Sequence, residues 1–168
     1  MKILILSGLF EDNITENIKR LPEFASKFST ALINSPIAAD FLEHAVYTNC
    51  NQERLISILR NQSNIDLKNF DAVILFTNPS YFNVSEILNI KFINPDITLI
   101  TAFCNIKLDN SVMKSKMHAA ALKSDLIINI NSMNKLDTYV FKARNSEQRV
   151  INNMSELADY ILYAISAP

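Results

Sequence analysis

Residues 71–83 have the sequence DAVILFTNPSYFN, and this stretch decides the fold class. It opens with a continuous apolar run at residues 72–76, and the pair Asn78-Pro79 ends that run. Such a run, bounded by turn residues, is typical of a parallel β-strand that is buried on both faces. Comparable runs predict four further strands, at residues 3–6, 30–33, 97–100 and 126–130.

Helical patterns separate these predicted strands. We expect helices at residues 14–28 with an interruption near Pro22, at 36–45 after Ser35 as a cap, and at 53–60, 85–90, 112–123 and 155–165. His44 and His118 fall on two of these helices. Alternating strands and helices predict an α/β fold with a doubly wound parallel sheet, a Rossmann/flavodoxin-like three-layer sandwich. We expect residues 1–168 to form a single domain.

The composition limits the possible functions. The chain has 168 residues, of which 49% are apolar and 20% charged, and a formal net charge of −1, so it predicts a globular domain with no basic face for nucleic acid. Two distant cysteines predict reduced thiols and no zinc or other metal site. The amino-terminal apolar run is too short for a signal peptide or a membrane span. These features predict a cytoplasmic protein without a membrane partner.

Ligands of doubly wound sheets bind beyond the carboxyl ends of the strands, so the segments that follow predicted strands are the candidate sites. In the first, SGLFEDNITE, backbone N–H groups after Ser7 and Gly8 could hold a phosphate, although Glu11 and Asp12 oppose an anion. An ordinary connecting loop is the alternative. Ser35 offers a hydroxyl at a predicted helix start, which suits either a phosphate contact or a simple cap.

Two later segments contain further candidates. Asn83 follows the third strand and could hydrogen-bond a planar ring or a carboxylate, or it could belong to a surface turn. Cys104, Asn105 and Lys107 follow the fourth strand. Lys107 could pair with a substrate carboxylate, or it could be a solvated surface lysine.

Taken in order, segments from nearly the whole chain resemble one family. They are KILILSGLFEDNITENIKRL at residues 2–21, LINSPIAADFL at 32–42, NIDLKNFDAVILFTNPSYFN at 64–83, AFCNIKLD at 102–109, NSVMKSKMHAAALKSDLIINI at 110–130 and the closing segment at 149–165. Together they resemble the homo-oligomeric flavin-containing Cys decarboxylases, a family that includes phosphopantothenoylcysteine decarboxylases and the peptidyl-cysteine decarboxylases of lantibiotic biosynthesis. The matched residues are Ser35, Ala38, Phe41, Leu42, Asn64, Ile65, Leu67, Phe70, Asp71, Pro79, Ser80, Asn83 and Asn105, with looser matches at Cys104 and Leu108.

The resemblance implies that FMN binds in a cleft between subunits of a homotrimer, or of an assembly of trimers. It implies oxidative decarboxylation of the C-terminal cysteine of a peptide, or of a related cysteinyl compound. The implied cofactor contacts are Ser7, Gly8, Ser35, Pro79, Ser80 and Asn83. The implied substrate contacts are Asn83, Cys104, Asn105 and Lys107, and the catalytic positions are Asn64 and Asn105.

This chain departs from the family at the base, because Asn64 stands where the family has a histidine. Imidazole exchanges protons near neutral pH, whereas an asparagine amide does not. A non-catalytic homologue that acts as a binding or regulatory subunit is therefore one alternative. A flavodoxin-like redox protein is another, since residues 71–83 also resemble flavodoxin-type quinone and flavin reductases. Residues 113–128 resemble part of a glycosyltransferase amino-terminal half.

Overall fold

The computed structural model describes residues 1–8, 21–77, 84–104, 124–132, 137–142 and 148–166. Its strands are β1 (Lys2–Gly8), β2 (His44–Cys50), β3 (Ala72–Thr77), β4 (Thr98–Cys104), β5 (Leu126–Ser132), β6 (Asp137–Lys142) and β7 (Gln148–Ile151). Its helices are α1 (Leu21–Asn34), α2 (Ala38–Phe41), α3 (Gln52–Leu59), α4 (Val84–Ile93) and α5 (Met154–Ser166), with a short 3₁₀ turn at Leu67–Asn69.

The strands form one sheet in the order β2-β1-β3-β4-β5-β6-β7. The first five strands of this order are parallel, β6 is antiparallel to β5, and β7 is antiparallel to β6. The predicted α/β fold with a doubly wound parallel sheet is therefore confirmed. The antiparallel pair β6–β7 extends the sheet beyond its five parallel strands, four of which the sequence predicts.

Helices cover both faces of the sheet, and the core consists of two clusters. Leu21, Phe28 and Leu32 of α1 pack with Ile161 of α5 on one face. Leu55 and Ile58 of α3 pack with Ile87 and Ile90 of α4 on the other face. Successive strand residues alternate between the clusters, as the period of two requires. Every residue from Ala72 to Thr77 is buried, which explains the unbroken apolar run.

The predicted strand at residues 30–33 is wrong, because α1 continues through Asn34. A four-residue apolar run does not distinguish a strand from a helix by itself. Here Leu32 is buried at helical spacing from Phe28 and Phe24. Pro22 lies in the first turn of α1, where its missing N–H costs no hydrogen bond, so it does not interrupt the helix. The part of the predicted helix that precedes Leu21 lies outside the described residues.

The second strand of the sheet is instead His44–Cys50. The sequence predicts a helix for its first two residues and no element for the others. The helix expected at residues 36–45 is reduced to α2, which spans only Ala38–Phe41. His44 is therefore a strand residue, contrary to the prediction, and His118 lies outside the described residues. Within the described ranges, no helix has both the length and the apolar character that crossing a membrane requires.

Candidate functional site

The two ends of the parallel strands define two edges of the sheet. The carboxyl edge contains the ends of β1 at Gly8, of β2 at Cys50, of β3 at Thr77 and of β4 at Cys104. The amino edge contains the strand starts, including Lys2 and Ala72. At the carboxyl edge, β1 has β2 on one side and β3 on the other. The chain continues from β1 to β2 on one side and from β3 to β4 on the other side. The crevice between β1 and β3 is therefore the topological switch point, where such sheets bind ligands.

Ser7 lies at this crevice, but its hydroxyl is already engaged. The side chain is fully buried, and Ser7 Oγ donates to Asn49 Oδ1 at 3.0 Å and lies 3.0 Å from Tyr47 Oη. Tyr47 Oη in turn donates to the Pro22 carbonyl at 2.9 Å. This network joins the ends of β1 and β2 to the start of α1. The Ser7 side chain therefore organises the carboxyl edge rather than offering its hydroxyl to a ligand.

Gly8 leaves room for α3 to pack against the end of β1. A Cβ at this position would lie 2.8 Å from Leu55 Cδ2 and 3.3 Å from the Cys50 carbonyl oxygen. Leu55 is fully buried. The absence of a side chain at Gly8 thus lets α3 approach the end of β1 closely.

Cys50 places a thiol at the end of β2, but burial disfavours its reactive form. Its residue exposure is 7%, and burial raises the pKa of the Cys50 thiol, with Arg54 opposing this shift more weakly. The thiolate is the nucleophilic form of cysteine, so Cys50 is poorly suited to covalent chemistry.

An ion pair fixes α4, the helix that follows residues 78–83. The Glu86 carboxylate in the first turn of α4 is buried, and Arg60 Nε and Nη2 donate to it at 3.1 and 2.6 Å. The hydrogen bonds from Arg60 to Glu86 raise the pKa of the Arg60 guanidinium, so the guanidinium stays charged. This contact ties the first turn of α4 to the end of α3.

Other candidates at the carboxyl edge are located only by the strands that they follow. Cys104 ends β4. Pro79, Ser80 and Asn83, and also Asn105 and Lys107, lie outside the described residues. Their proposed contacts therefore remain predictions.

Ser35 does not lie at the carboxyl edge, contrary to its predicted position after a strand. It follows the last residue of α1, and the segment after it contacts the amino terminus: the Met1 ammonium donates to the Phe41 carbonyl and Glu43 N donates to the Met1 carbonyl, both at 2.9 Å. Ser35 Oγ donates to Asp159 Oδ1 at 2.5 Å and accepts from Ile37 N. Ser35 therefore links α1 to α5 near the amino edge.

Replacing Ser35 by alanine tests this structural role. Because Asp159 would lose a short hydrogen bond, we expect Ser35→Ala to lower the free energy of unfolding by about 1–2 kcal/mol in a urea titration. Ser26→Ala, the same change on the exposed face of α1, is the matched control and should shift it by less than about 0.5 kcal/mol. If the two changes lowered the free energy of unfolding equally, the hydrogen bond from Ser35 to Asp159 would not have the structural role assigned to it.

Asn64 is also separated from the crevice. It is an exposed residue in the connection by which the chain returns from α3 to the start of β3. Within one chain, Asn64 and Ser35 therefore do not converge with Ser7 and Gly8.

Several residues matched by the resemblance have structural roles instead. Ala38 and Leu67 are buried in the two core clusters. Asp71 precedes β3, and its Oδ2 accepts from Lys2 N at 2.7 Å. Asp125 precedes β5 and accepts from Leu99 N at 2.8 Å in the same way. An aspartate directly before a buried strand thus binds the first N–H groups of the neighbouring strand.

Tyr47 and Asn49 lie at the carboxyl edge, although no sequence pattern singled them out as site residues. The available signal was the period of two in HAVYTNC, since Ala45, Tyr47 and Asn49 face the α1 side together. Asn49 and Cys50 are the last two residues of β2, and Asn49 is exposed. It occupies the position at the end of the second strand that the sequence analysis gave to Ser35.

Comparisons with protein-family models, with curated proteins and with solved structures found no match to this chain. Across the described ranges, no group of three or more His, Cys, Asp or Glu side chains is arranged to hold a metal ion. The fold thus defines the class, a doubly wound α/β domain with a switch-point crevice, and function must be argued from that crevice.

Proposed function

We propose that this chain binds FMN at the carboxyl edge, in the crevice between β1 and β3. The observation that supports the proposal is the strand order β2-β1-β3, which makes this crevice the switch point of the sheet. The chain leaves the crevice at Gly8 and at Thr77, so residues 9–20 and 78–83 follow directly from its two sides. A phosphorylated planar ligand is the type of molecule that such crevices accommodate.

The proposed contacts come from the ends of adjacent strands. Asn49 is exposed at the end of β2, and its contact with Ser7 orients the amide. In the proposal it takes the place of Ser35 as the polar contact from the second strand. Pro79, Ser80 and Asn83 follow β3, and Asn105 and Lys107 follow β4, so they remain the proposed contacts with the flavin and with a carboxylate.

We propose further that the chain is a binding or regulatory subunit and not a decarboxylase. Two features of Asn64 favour this reading: its amide has no basic group, and it lies on the return path to the amino edge, away from the crevice of its own chain. Flavin binding requires neither a basic group at residue 64 nor a position of that residue at the crevice. Fold alone does not confer the reaction.

Oxidative decarboxylation of a peptidyl cysteine is the second candidate. It is favoured by the exposure of Asn64, because an exposed residue can meet the crevice of a neighbouring subunit in a homo-oligomer. In that arrangement one subunit binds FMN and the thiol, while another supplies the group at the base position. A trimer, or a multiple of three, would provide such neighbours.

Titration of the purified protein with FMN tests the proposal. We expect saturable quenching of flavin fluorescence and a shifted visible flavin spectrum. Asn49→Asp adds a negative charge beside the proposed phosphate while keeping an acceptor for Ser7, so it should weaken FMN binding by about tenfold. Asn69→Asp, an identical change at an exposed site in the segment that returns to the amino edge, is the control and should leave the affinity unchanged.

No saturable FMN binding, or equal effects of the two variants, would contradict binding at this crevice. The two candidate functions are separated by incubating the FMN-loaded protein with a cysteine-ended peptide and following its mass. Loss of carbon dioxide and two hydrogens would establish the decarboxylase, and an unchanged peptide supports the binding subunit. Reversible reduction of the bound flavin with an unchanged peptide would favour a redox protein.

A further inference from the structure

The hydroxyl groups of Ser7 and Tyr47 take part in more contacts than they have protons for. Three oxygen pairs lie within hydrogen-bond distance: Ser7 Oγ and Asn49 Oδ1 at 3.0 Å, Ser7 Oγ and Tyr47 Oη at 3.0 Å, and Tyr47 Oη and the Pro22 carbonyl oxygen at 2.9 Å. Amide and carbonyl oxygens only accept, and each hydroxyl group has one proton. In this hydroxyl network two protons therefore serve three contacts, and one contact stays without a proton.

The contact that lacks a proton is the one between the two hydroxyl groups. Ser7 Oγ donates to Asn49 Oδ1. Tyr47 Oη donates to the Pro22 carbonyl, so only lone pairs face each other between Ser7 and Tyr47. Ser7 has no exposed surface, and a polar contact without a proton is unfavourable in such a buried place. In return, this arrangement leaves both Nδ2 protons of the exposed Asn49 available to a ligand.

Turning the Asn49 amide by half a rotation gives every contact a proton. The turn exchanges Oδ1 and Nδ2, which have nearly the same size, so the other atoms of the network keep their places. Asn49 Nδ2 then donates to Ser7 Oγ, and Ser7 Oγ donates to Tyr47 Oη. Tyr47 keeps its bond to the Pro22 carbonyl. The turned orientation thus makes one hydrogen bond more than the other orientation does.

The two orientations suit ligands of different chemistry. With Oδ1 on Ser7, Asn49 offers two N–H donors, which a phosphate accepts from. In the turned orientation Ser7 uses one of these donors, and the amide oxygen takes its place at the surface. That oxygen repels a phosphate oxygen and accepts from a hydroxyl or N–H group instead. A ligand that needs the less populated orientation binds with an affinity reduced by the population of that orientation.

We propose that Tyr47 is a positioning residue that holds the Asn49 amide in the turned orientation in the free protein, and that FMN binding turns the amide back. This inference rests on the proposed function, because it takes Asn49 as a contact of the FMN phosphate. Tyr47 acts through Ser7: while Tyr47 Oη accepts the Ser7 proton, Asn49 Oδ1 has no donor in the network. The Tyr47 hydroxyl group thus lowers the affinity of the crevice for a phosphate.

Fluorescence titration of Tyr47→Phe with FMN tests the inference, because this change removes the hydroxyl group and keeps the ring. The Ser7 proton then has Asn49 Oδ1 as its one remaining acceptor in the network, so the amide stays in the phosphate-binding orientation. We expect FMN to bind Tyr47→Phe about fivefold more tightly than the unmodified chain, the equivalent of one hydrogen bond. Riboflavin, which lacks the phosphate, should bind both forms equally. A purely structural role of Tyr47 predicts weaker or unchanged FMN binding.

Tyr163→Phe is the matched control, because Tyr163 lies on α5 with 63% of its surface exposed and outside the hydroxyl network. It should leave the affinity for FMN unchanged. In an Asn49→Ala background, Tyr47→Phe should no longer strengthen FMN binding. Weaker or unchanged FMN binding in Tyr47→Phe alone, or the same gain without the Asn49 amide, would overturn the inference. The absence of FMN binding to the unmodified chain would overturn the proposed function as well, so the two failures are distinguishable.

Hydrogen exchange of the Asn49 side-chain amide, followed by NMR, is a second measurement that needs neither flavin nor Tyr47→Phe. In the turned orientation one Nδ2 proton is bonded to the buried Ser7 Oγ, so it should exchange with solvent more slowly than the other Nδ2 proton. Ser7→Ala should abolish this difference. Equal exchange of the two protons in the unmodified chain would show that the amide is not turned, and would overturn the inference.

Discussion

Replacement of Phe76 by alanine is expected to lower the free energy of unfolding by about 3–5 kcal/mol, the usual cost of removing a buried phenylalanine. Phe76 is fully buried in β3, and its ring centroid lies 5.9 Å from that of Phe24 and 5.3 Å from that of Phe28. The alanine would leave a cavity between the sheet and α1, which the two remaining rings cannot fill without shifting. Urea unfolding, followed by circular dichroism, measures the effect.

Phe92→Ala provides the control for this experiment. Phe92 lies on α4 with 84% of its surface exposed, so the same substitution removes little buried area there. It should change the free energy of unfolding by less than about 0.5 kcal/mol. If the two variants lost similar stability, the packing of α1 on β3 through this aromatic cluster would be wrong.

Replacement of Gly8 by alanine is expected to cost about 1–3 kcal/mol, as overpacking of a filled core does. The added methyl group would lie 2.8 Å from Leu55 Cδ2, and Leu55 has no exposed surface toward which to move. The nearby Cys50 carbonyl belongs to the backbone of β2 and yields even less readily. A decrease in the urea midpoint without a change in slope would report this loss.

A double-mutant cycle with Leu55→Ala identifies the source of the cost. Leu55→Ala alone should destabilise the protein by about 2–5 kcal/mol. In that background the space beside Gly8 is open, so adding Gly8→Ala should cost at least about 1 kcal/mol less than it does in the unmodified chain. Additive effects of the two changes would show that Leu55 is not the limiting contact.

Much of the sheet follows from the sequence alone. The runs at residues 3–6 and 72–76 predict β1 and β3 because strands buried on both faces need continuous apolar residues. The strand β2 has no continuous apolar run. Its residues from Ala45 to Thr48 are only half-buried, and its sequence HAVYTNC mixes polar with apolar residues, as an edge strand does.

The error in β2 explains the error in the site. With residues 30–33 taken as the second strand, Ser35 falls at a strand end, whereas the structure places it after a helix. Its partner Asp159 is 124 residues away, and no local pattern indicates that contact. Local periodicity predicts which residues are apolar and buried, but the choice between the two edges of a sheet depends on where each strand begins and ends.

The direction of β6 and β7 is also not visible in their local sequence pattern. The side-chain period of a strand does not report its direction. Direction follows from the connection, and residues 133–136 leave room for a return and not for a crossover helix. Once strands are recognised at 137–142 and 148–151, these short connections indicate that they run antiparallel.

The position of α5 has a consequence for biosynthesis. This helix, Met154–Ser166, covers the same face of the sheet as α1 and supplies four buried residues, and its Asp159 holds the end of α1. As the polypeptide emerges from the ribosome, the core cluster that α3 and α4 form with the sheet has all its described residues once β5 has been made. The cluster around α1 lacks the buried residues of α5 until that helix has been made as well. The nascent chain therefore exposes the apolar surface that α5 later covers until late in translation. A chaperone would bind the nascent chain at that surface.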